Sequence, residues 1–182
     1  RTRTMGITMK RRSFLKVAGG VAGSVALGPR PVPLFAESSG QAQADLPRRA
    51  FGRSSEQLST VAFPGLALAK LSQEEGTAGL HRAFEQGVNH FDVAPAYGDA
   101  EIKMGIGLQG IDRSRIFLSC KTKMRDKDGA RQELERSLTR LKTDHFDLYQ
   151  MHHIRTPEEV QRALGPGGAI ETFLKAKEEG KI

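Results

Sequence analysis

The chain alternates short apolar runs with amphipathic stretches, which confines it to folds built on a parallel sheet flanked by helices. Runs near 61–63, 89–92, 116–121 and 146–152 have the length of buried strands. Between them Leu80, Ala83, Phe84 and Val88 recur at helical spacing, and 100–108 reads as a second helix. Ala130, Leu134, Leu138 and Leu141 form an i, i+4, i+8, i+11 stripe on a third. Ile170, Phe173 and Leu174 mark a further helix, broken upstream by the GPGG at 165–168. Gly87 and Gly180 stand where helix C-caps are expected. Strands joined by helical crossovers run in one direction, so their C-terminal ends share the rim where α/β proteins place their chemistry. HFDVAPAYG brings Asp92 and Tyr97 to that rim, IFLSCKT brings Lys121, and FDLYQMHH brings His152. Four groups able to move or stabilise protons at one rim make a candidate active site.

Two short strands around a turn at 52–55 are expected ahead of these units, and Pro64-Gly65 ends the first buried strand. Lys181-Ile182 reads as the first step of a fifth strand. Four β/α units cannot close a barrel and would leave a bare strand edge, so an incomplete barrel is expected.

The formal net charge of +7 is localised. Up to Ala44 there are seven basic residues and one acid, which leaves 21 basic and 20 acidic residues from Asp45 onward. No single-sign patch remains to grip phosphates, and nucleic-acid binding is not expected. Lys10-Arg11-Arg12-Ser13-Phe14-Leu15-Lys16 precedes an uncharged Gly/Ala-rich stretch at 17–28, with small residues at Ala42 and Ala44. This resembles a twin-arginine (Tat) export signal with an A-x-A cleavage site, beginning at Met9. The resemblance implies the Tat translocase as a partner and a periplasmic or other extracytoplasmic location. The apolar stretch is too short and glycine-rich for a stable membrane anchor. Residues 1–44 are therefore read as signal and linker, and 45–182 as the N-terminal part of an incomplete barrel domain. Cys120 is the only cysteine, which excludes an internal disulfide and fits folding before export.

From about Arg48 onward the chain resembles the aldo-keto reductases. The likeness is densest in FDVAPAYG, in the lysine of SCKT and in DLYQMHH. It implies a (β/α)8 TIM barrel, truncated after about four β/α units, with an N-terminal β-hairpin (RRAFGRSSEQLS) plugging the barrel bottom. It also implies NADPH as cofactor, a small-molecule carbonyl substrate (aldehyde, ketone or sugar-like), and a catalytic tetrad of Asp92, Tyr97, Lys121 and His152. Asp92 and Gly65 would face the cofactor. His153 departs from the pattern, since relatives often carry Trp or Ala there, and the position helps shape the substrate pocket.

The chemistry suits those roles. A carbonyl receiving hydride develops negative charge on oxygen, so donors must already be aimed at it. Tyr97 is the expected general acid, although a phenol of pKa about 10 donates poorly at neutral pH unless a neighbouring cation stabilises its anion. Lys121 is that cation, Asp92 holds it through a buried ion pair, and His152 orients the carbonyl. The hydride comes from a nicotinamide, because no side chain supplies one.

Other motifs carry nothing. GIGLQG (105–110) spells G-x-G-x-x-G but follows a helix instead of a strand, so it reads as helix termination. The five histidines show no metal-ligand spacing, and no metal is expected. Cys120 should point away from the barrel axis and be buried. GPGG lacks the Lys-Ser/Thr of a phosphate loop. Two further readings stand beside the reductase: a non-catalytic NADPH-binding regulatory subunit, and an inert fragment with an exposed strand edge.

Overall fold

In the computed structural model, which describes residues 46–182, four parallel strands stand side by side in chain order. Arg48–Ala50 (β1) and Gln57–Ser59 (β2) first pair as an antiparallel hairpin. Ala62–Pro64 (β3), His90–Asp92 (β4), Phe117–Thr122 (β5) and Leu148–Met151 (β6) then form the sheet, in the order β3-β4-β5-β6. The helices are Gln73–Glu85 (α1), Ala100–Gly107 (α2), Lys127–Leu141 (α3), Pro157–Leu164 (α4) and Ala169–Glu178 (α5). The twin-arginine motif, the apolar stretch behind it and the Ala42/Ala44 site lie outside the described residues.

Strand alternation divides the sheet into an apolar and a polar face. Phe91, Val93, Leu118 and Cys120 are at most 1 % exposed, and they pack with Leu80, Met104 and Leu134 of the helices. The alternate positions carry His90 and Asp92 on β4 and Ser119 and Lys121 on β5. The registers set Asp92 opposite Ser119 and Lys121 opposite Gln150. Cys120 is fully buried, with its thiol pKa raised by burial, then by Glu101.

Local signals fix the helix ends. Ser72 and Glu75 make a reciprocal capping box on α1, and Asp126 accepts from the Gly129 N–H on α3. The stretch before the GPGG holds a separate helix, α4, with Val160, Ala163 and Leu164 at helical spacing. Its start is signalled by the Thr156 cap and by Pro157 in the first turn.

Two of the strands, β4 and β6, are shorter than their apolar runs. β4 starts at His90, and the preceding Asn89 side chain is engaged by β2: its Oδ1 accepts from Ser59 N–H at 2.7 Å and its Nδ2 donates to Gln57 O at 2.8 Å. These bonds, with the Phe51–Phe117 ring contact at 5.4 Å, tie the hairpin to the strand starts, opposite the Asp92 end. β6 spans only Leu148–Met151, and Asp147 is occupied by Arg113 and by the Leu118 N–H. His152 lies just beyond β6, although its N–H still reaches Thr122 O at 2.8 Å. Lys181 and Ile182 form no strand; the Lys181 carbonyl accepts one bond from Phe146 N–H.

The G-x-G-x-x-G letters fall inside and just after α2, where Gly105 and Gly107 serve packing and Gly110, at φ 88°, takes the turn that follows. A Cβ on Gly105 would collide with Arg140 O and lie 2.8 Å from the Leu141 Cα, on α3. Replacing Gly105 by Ala gains about 1 kcal/mol of helix propensity. The backbone overlap costs about 3 kcal/mol or more, since α3 itself must move. A net loss of about 2 kcal/mol is expected from those two terms, read as a lower urea midpoint. An unchanged midpoint would contradict the α2–α3 contact.

Among the described residues, no helix is long and apolar enough to cross a membrane, and no three His, Cys, Asp or Glu side chains gather as a metal-binding group.

Candidate active site

One acidic and one basic strand position, a turn and a strand exit build the site. Asp92 ends β4 and Lys121 lies on β5, their side chains on the same face. The ammonium donates to both Asp92 oxygens, at 2.6 Å and 2.5 Å, and to Val93 O at 3.2 Å. The ion pair expected to be buried is partly so, with side-chain exposures of 13 % for Lys121 and 29 % for Asp92.

Tyr97 sits on the turn after β4, which closes through its own N–H to Ala94 O. Its half-buried ring lies with the centroid 5.4 Å from the Lys121 Nζ, within cation–π range. The same ring meets the His152 imidazole edge-to-face, at 5.6 Å and 86°. Asp92, Lys121, Tyr97 and His152 are thus brought together as a continuous chain of contacts at one end of the sheet. The Tyr97 hydroxyl makes no hydrogen bond among the described residues, which leaves it available to a ligand. Gly65 closes against this end: a Cβ there would come within 2.5 Å of Asp92 O, so only glycine allows the chain after β3 to pass so near.

His152 is 7 % exposed, and its Nδ1 is buried without a partner among the described residues. Burial, then the neighbouring His153, Lys121 and Lys123, hold its pKa below that of a free imidazole. A neutral ring is a donor at one nitrogen only. Arg125 fixes the backbone here, donating to His152 O at 2.6 Å and to Lys123 O at 3.0 Å, so it staples the loops after β5 and β6 together.

Two supporting residues are not evident from the sequence. Ser119 Oγ lies 2.7 Å from Asp92 Oδ1, and His90 Nε2 lies 3.0 Å from Ser119 Oγ. A serine hydroxyl has one proton, and the carboxylate can only accept. The hydroxyl therefore donates to Asp92 and accepts from His90, which must carry its proton on Nε2. The one signal for them is the two-residue alternation, His90/Asp92 and Ser119/Lys121, which marks one face of adjacent strands.

Burial also lowers the His90 pKa. Both histidines thus have folded values under the ordinary 6.5, and the unfolded chain binds protons more readily below it. Their contribution to stability is present above pH 6.5 and is lost as pH falls through the folded values. Proton-detected titration should show both imidazoles with midpoints below 6.5. A midpoint above that value for His152 would mean that acidic groups, not burial and cations, dominate its surroundings.

The Aldo/keto reductase family pattern matches residues 60–182. Methylglyoxal reductase DkgA of Salmonella typhimurium is 35 % identical over 89 residues, which is 48 % of this chain and 32 % of that enzyme. An aldo-keto reductase from Bacillus halodurans, solved in its holo form, superposes with a TM-score of 0.63 at 27 % identity, covering 75 % of this chain and 48 % of the other. An aldo-keto reductase from Klebsiella pneumoniae, solved in complex with NADPH, gives 0.59 at 26 % identity, covering 69 % and 44 %. The chain thus spans about a third to a half of the length of these relatives.

Proposed function

Because the chain belongs to the aldo/keto reductase family, we propose that it works as an NADPH-dependent carbonyl reductase, turning an aldehyde, ketone or sugar-like carbonyl into an alcohol. The observation that carries this reading is the joining of a phenol, an ammonium–carboxylate pair and a neutral imidazole at one sheet end. Such a set is suited to delivering a proton to an oxygen while its charge develops.

In this reading Tyr97 gives its hydroxyl proton to the substrate oxygen. Lys121, facing the ring, stabilises the phenolate left behind, and Asp92 holds the ammonium in place. His152 is the second donor, orienting the oxygen through Nε2 while Nδ1 stays unprotonated. Ser119 and His90 keep the Asp92 carboxylate turned toward Lys121. None of these side chains can give a hydride, which fits a nicotinamide cofactor; when bound, NADPH would supply it. Asp92 and Gly65, at adjacent strand ends, are the residues proposed to lie against it. Supporting the choice of cofactor is the NADPH complex of the Klebsiella relative.

The test is NADPH consumption by the full-length protein over a panel of simple aldehydes, with nucleotide binding followed separately by fluorescence. Turnover supports the reductase. Binding without turnover on any aldehyde would make it a regulatory, nucleotide-binding subunit. Export is part of the same proposal, supported by Arg11 and Arg12 beside the apolar stretch. Cell fractionation with and without an Arg11→Lys/Arg12→Lys change tests it, and an unaltered distribution would remove it.

A further inference from the structure

Beside His152 lies a cleft of about 240 Å³ lined by Lys123, Arg125, His152, His153, Arg155 and Glu159. Its walls come from the loops after β5 and β6 and the first turn of α4, so it opens at the same sheet end as the catalytic groups. The lining holds three permanent cations and one carboxylate. That single carboxylate is partly committed: Glu159 accepts from the Arg155 N–H at 2.6 Å and stands 3.8 Å from the Arg125 guanidinium.

The cations are under-matched. Lys123 is exposed and forms no ion pair among the described residues. Arg155 is exposed, and among the described residues its guanidinium meets the His153 Nδ1, at 3.0 Å, and no carboxylate. Arg125 donates to backbone carbonyls, while its Nε is buried without a hydrogen-bond partner among the described residues. His153 holds a left-handed backbone, φ 55°, which places its ring against His152 at 4.2 Å and ends β6 in a turn that carries Arg155 to the rim. Other basic side chains of α3 and the sheet starts do answer a carboxylate, as in Arg113–Asp147, Arg131–Glu179 and Lys127–Glu171, whereas here three cations from two neighbouring loops share one. An excess of cations next to a proton donor favours a ligand that brings negative charge.

We propose that this cleft is an anion subsite, and that the preferred substrate is a carbonyl compound carrying a carboxylate or phosphate group remote from the reacting carbon. The proposal rests on the reductase reading and deepens it by naming the substrate class. The acidic group is held by Lys123 and Arg155, with the carbonyl lying toward His152 and Tyr97. Carboxylate and phosphate share the chemistry, and the measurements separate them.

The experiment compares kcat/KM of the full-length protein for para-carboxybenzaldehyde against benzaldehyde, and for glyceraldehyde phosphate against glyceraldehyde. The measurements are repeated in a Lys123→Met/Arg155→Met variant. In the parent protein at least one acidic partner is favoured, and the preference weakens with added salt. In the variant the favoured acidic substrate loses about 10-fold or more, through KM, as loss of charged hydrogen bonds predicts. Removing Lys123 relieves part of the depression of the His152 pKa, so the comparison is made well above pH 6.5, where that imidazole is neutral in both proteins. There the neutral aldehydes lose much less than the acidic one, because both substituted side chains are exposed. The pair that responds identifies the acid. Equal losses for acidic and neutral substrates, or no acidic preference in the parent, would overturn the subsite while leaving the reductase standing. A variant that instead binds NADPH more weakly, with the substrate ratio unchanged, would assign these cations to the cofactor's phosphates and overturn it too. Failure to reduce any aldehyde sinks the reductase reading, and the subsite with it.

Discussion

Tyr97→Phe in the full-length protein is expected to lower aldehyde reduction by roughly 100- to 10,000-fold, the range that a positioned general acid supplies. The change deletes one oxygen and leaves the ring. The edge-to-face contact with His152 and the cation above the ring both survive, so melting temperature and nucleotide affinity should stay near their starting values. Because the hydroxyl makes no hydrogen bond among the described residues, its loss strands no partner in the protein. The measurement is kcat on a simple aldehyde, alongside a nucleotide titration. Turnover within a few-fold of the parent would remove Tyr97 from the chemistry and transfer the proton to His152.

Lys121→Met should show a comparable loss of turnover, about 100-fold or more, for a different reason. Methionine matches the length of the lysine stem but brings no charge, so nothing stabilises the phenolate of Tyr97. Asp92 is left with only the Ser119 hydroxyl. A fully buried carboxylate stripped of its partner costs about 3–5 kcal/mol. Asp92 is 29 % exposed and reaches water, so a loss of about 1–2 kcal/mol is expected, seen in the denaturation midpoint. Asp92→Asn alone should loosen the ammonium and reduce turnover less. The double variant should be no slower than Lys121→Met, because the two residues act as one unit. Fully additive losses would show that Asp92 acts independently of the lysine.

The site was legible in outline because each catalytic group follows an apolar run closely. Asp92 and Lys121 lie on strands, Tyr97 five residues past Asp92, and His152 one residue beyond β6, so short-range chain geometry carries all four to one end. The helix stripe over 130–141 was equally plain, since its period lies within a single segment. What stayed hidden needed the register between segments. Ser119 meets Asp92 only because β4 and β5 pair with those residues opposite one another, and His90 joins only through Ser119. The Arg125 staple to His152 spans 27 residues and crosses two loops. Glu101, fully buried against Arg140 at a separation of 39 residues, has no local signature at all.

The order of strands and helices, the faces they bury and the residues delivered to the sheet end were set by the sequence itself, because periodicity and turn chemistry act over a few neighbouring positions. Tertiary structure decided which partners those residues hold: Asp92 between Lys121 and Ser119, the Tyr97 ring between an ammonium and an imidazole, and the unmatched cations beside His152. Ångström-scale contacts of that kind arise when distant segments pack, and the free energy of packing depends on the whole arrangement.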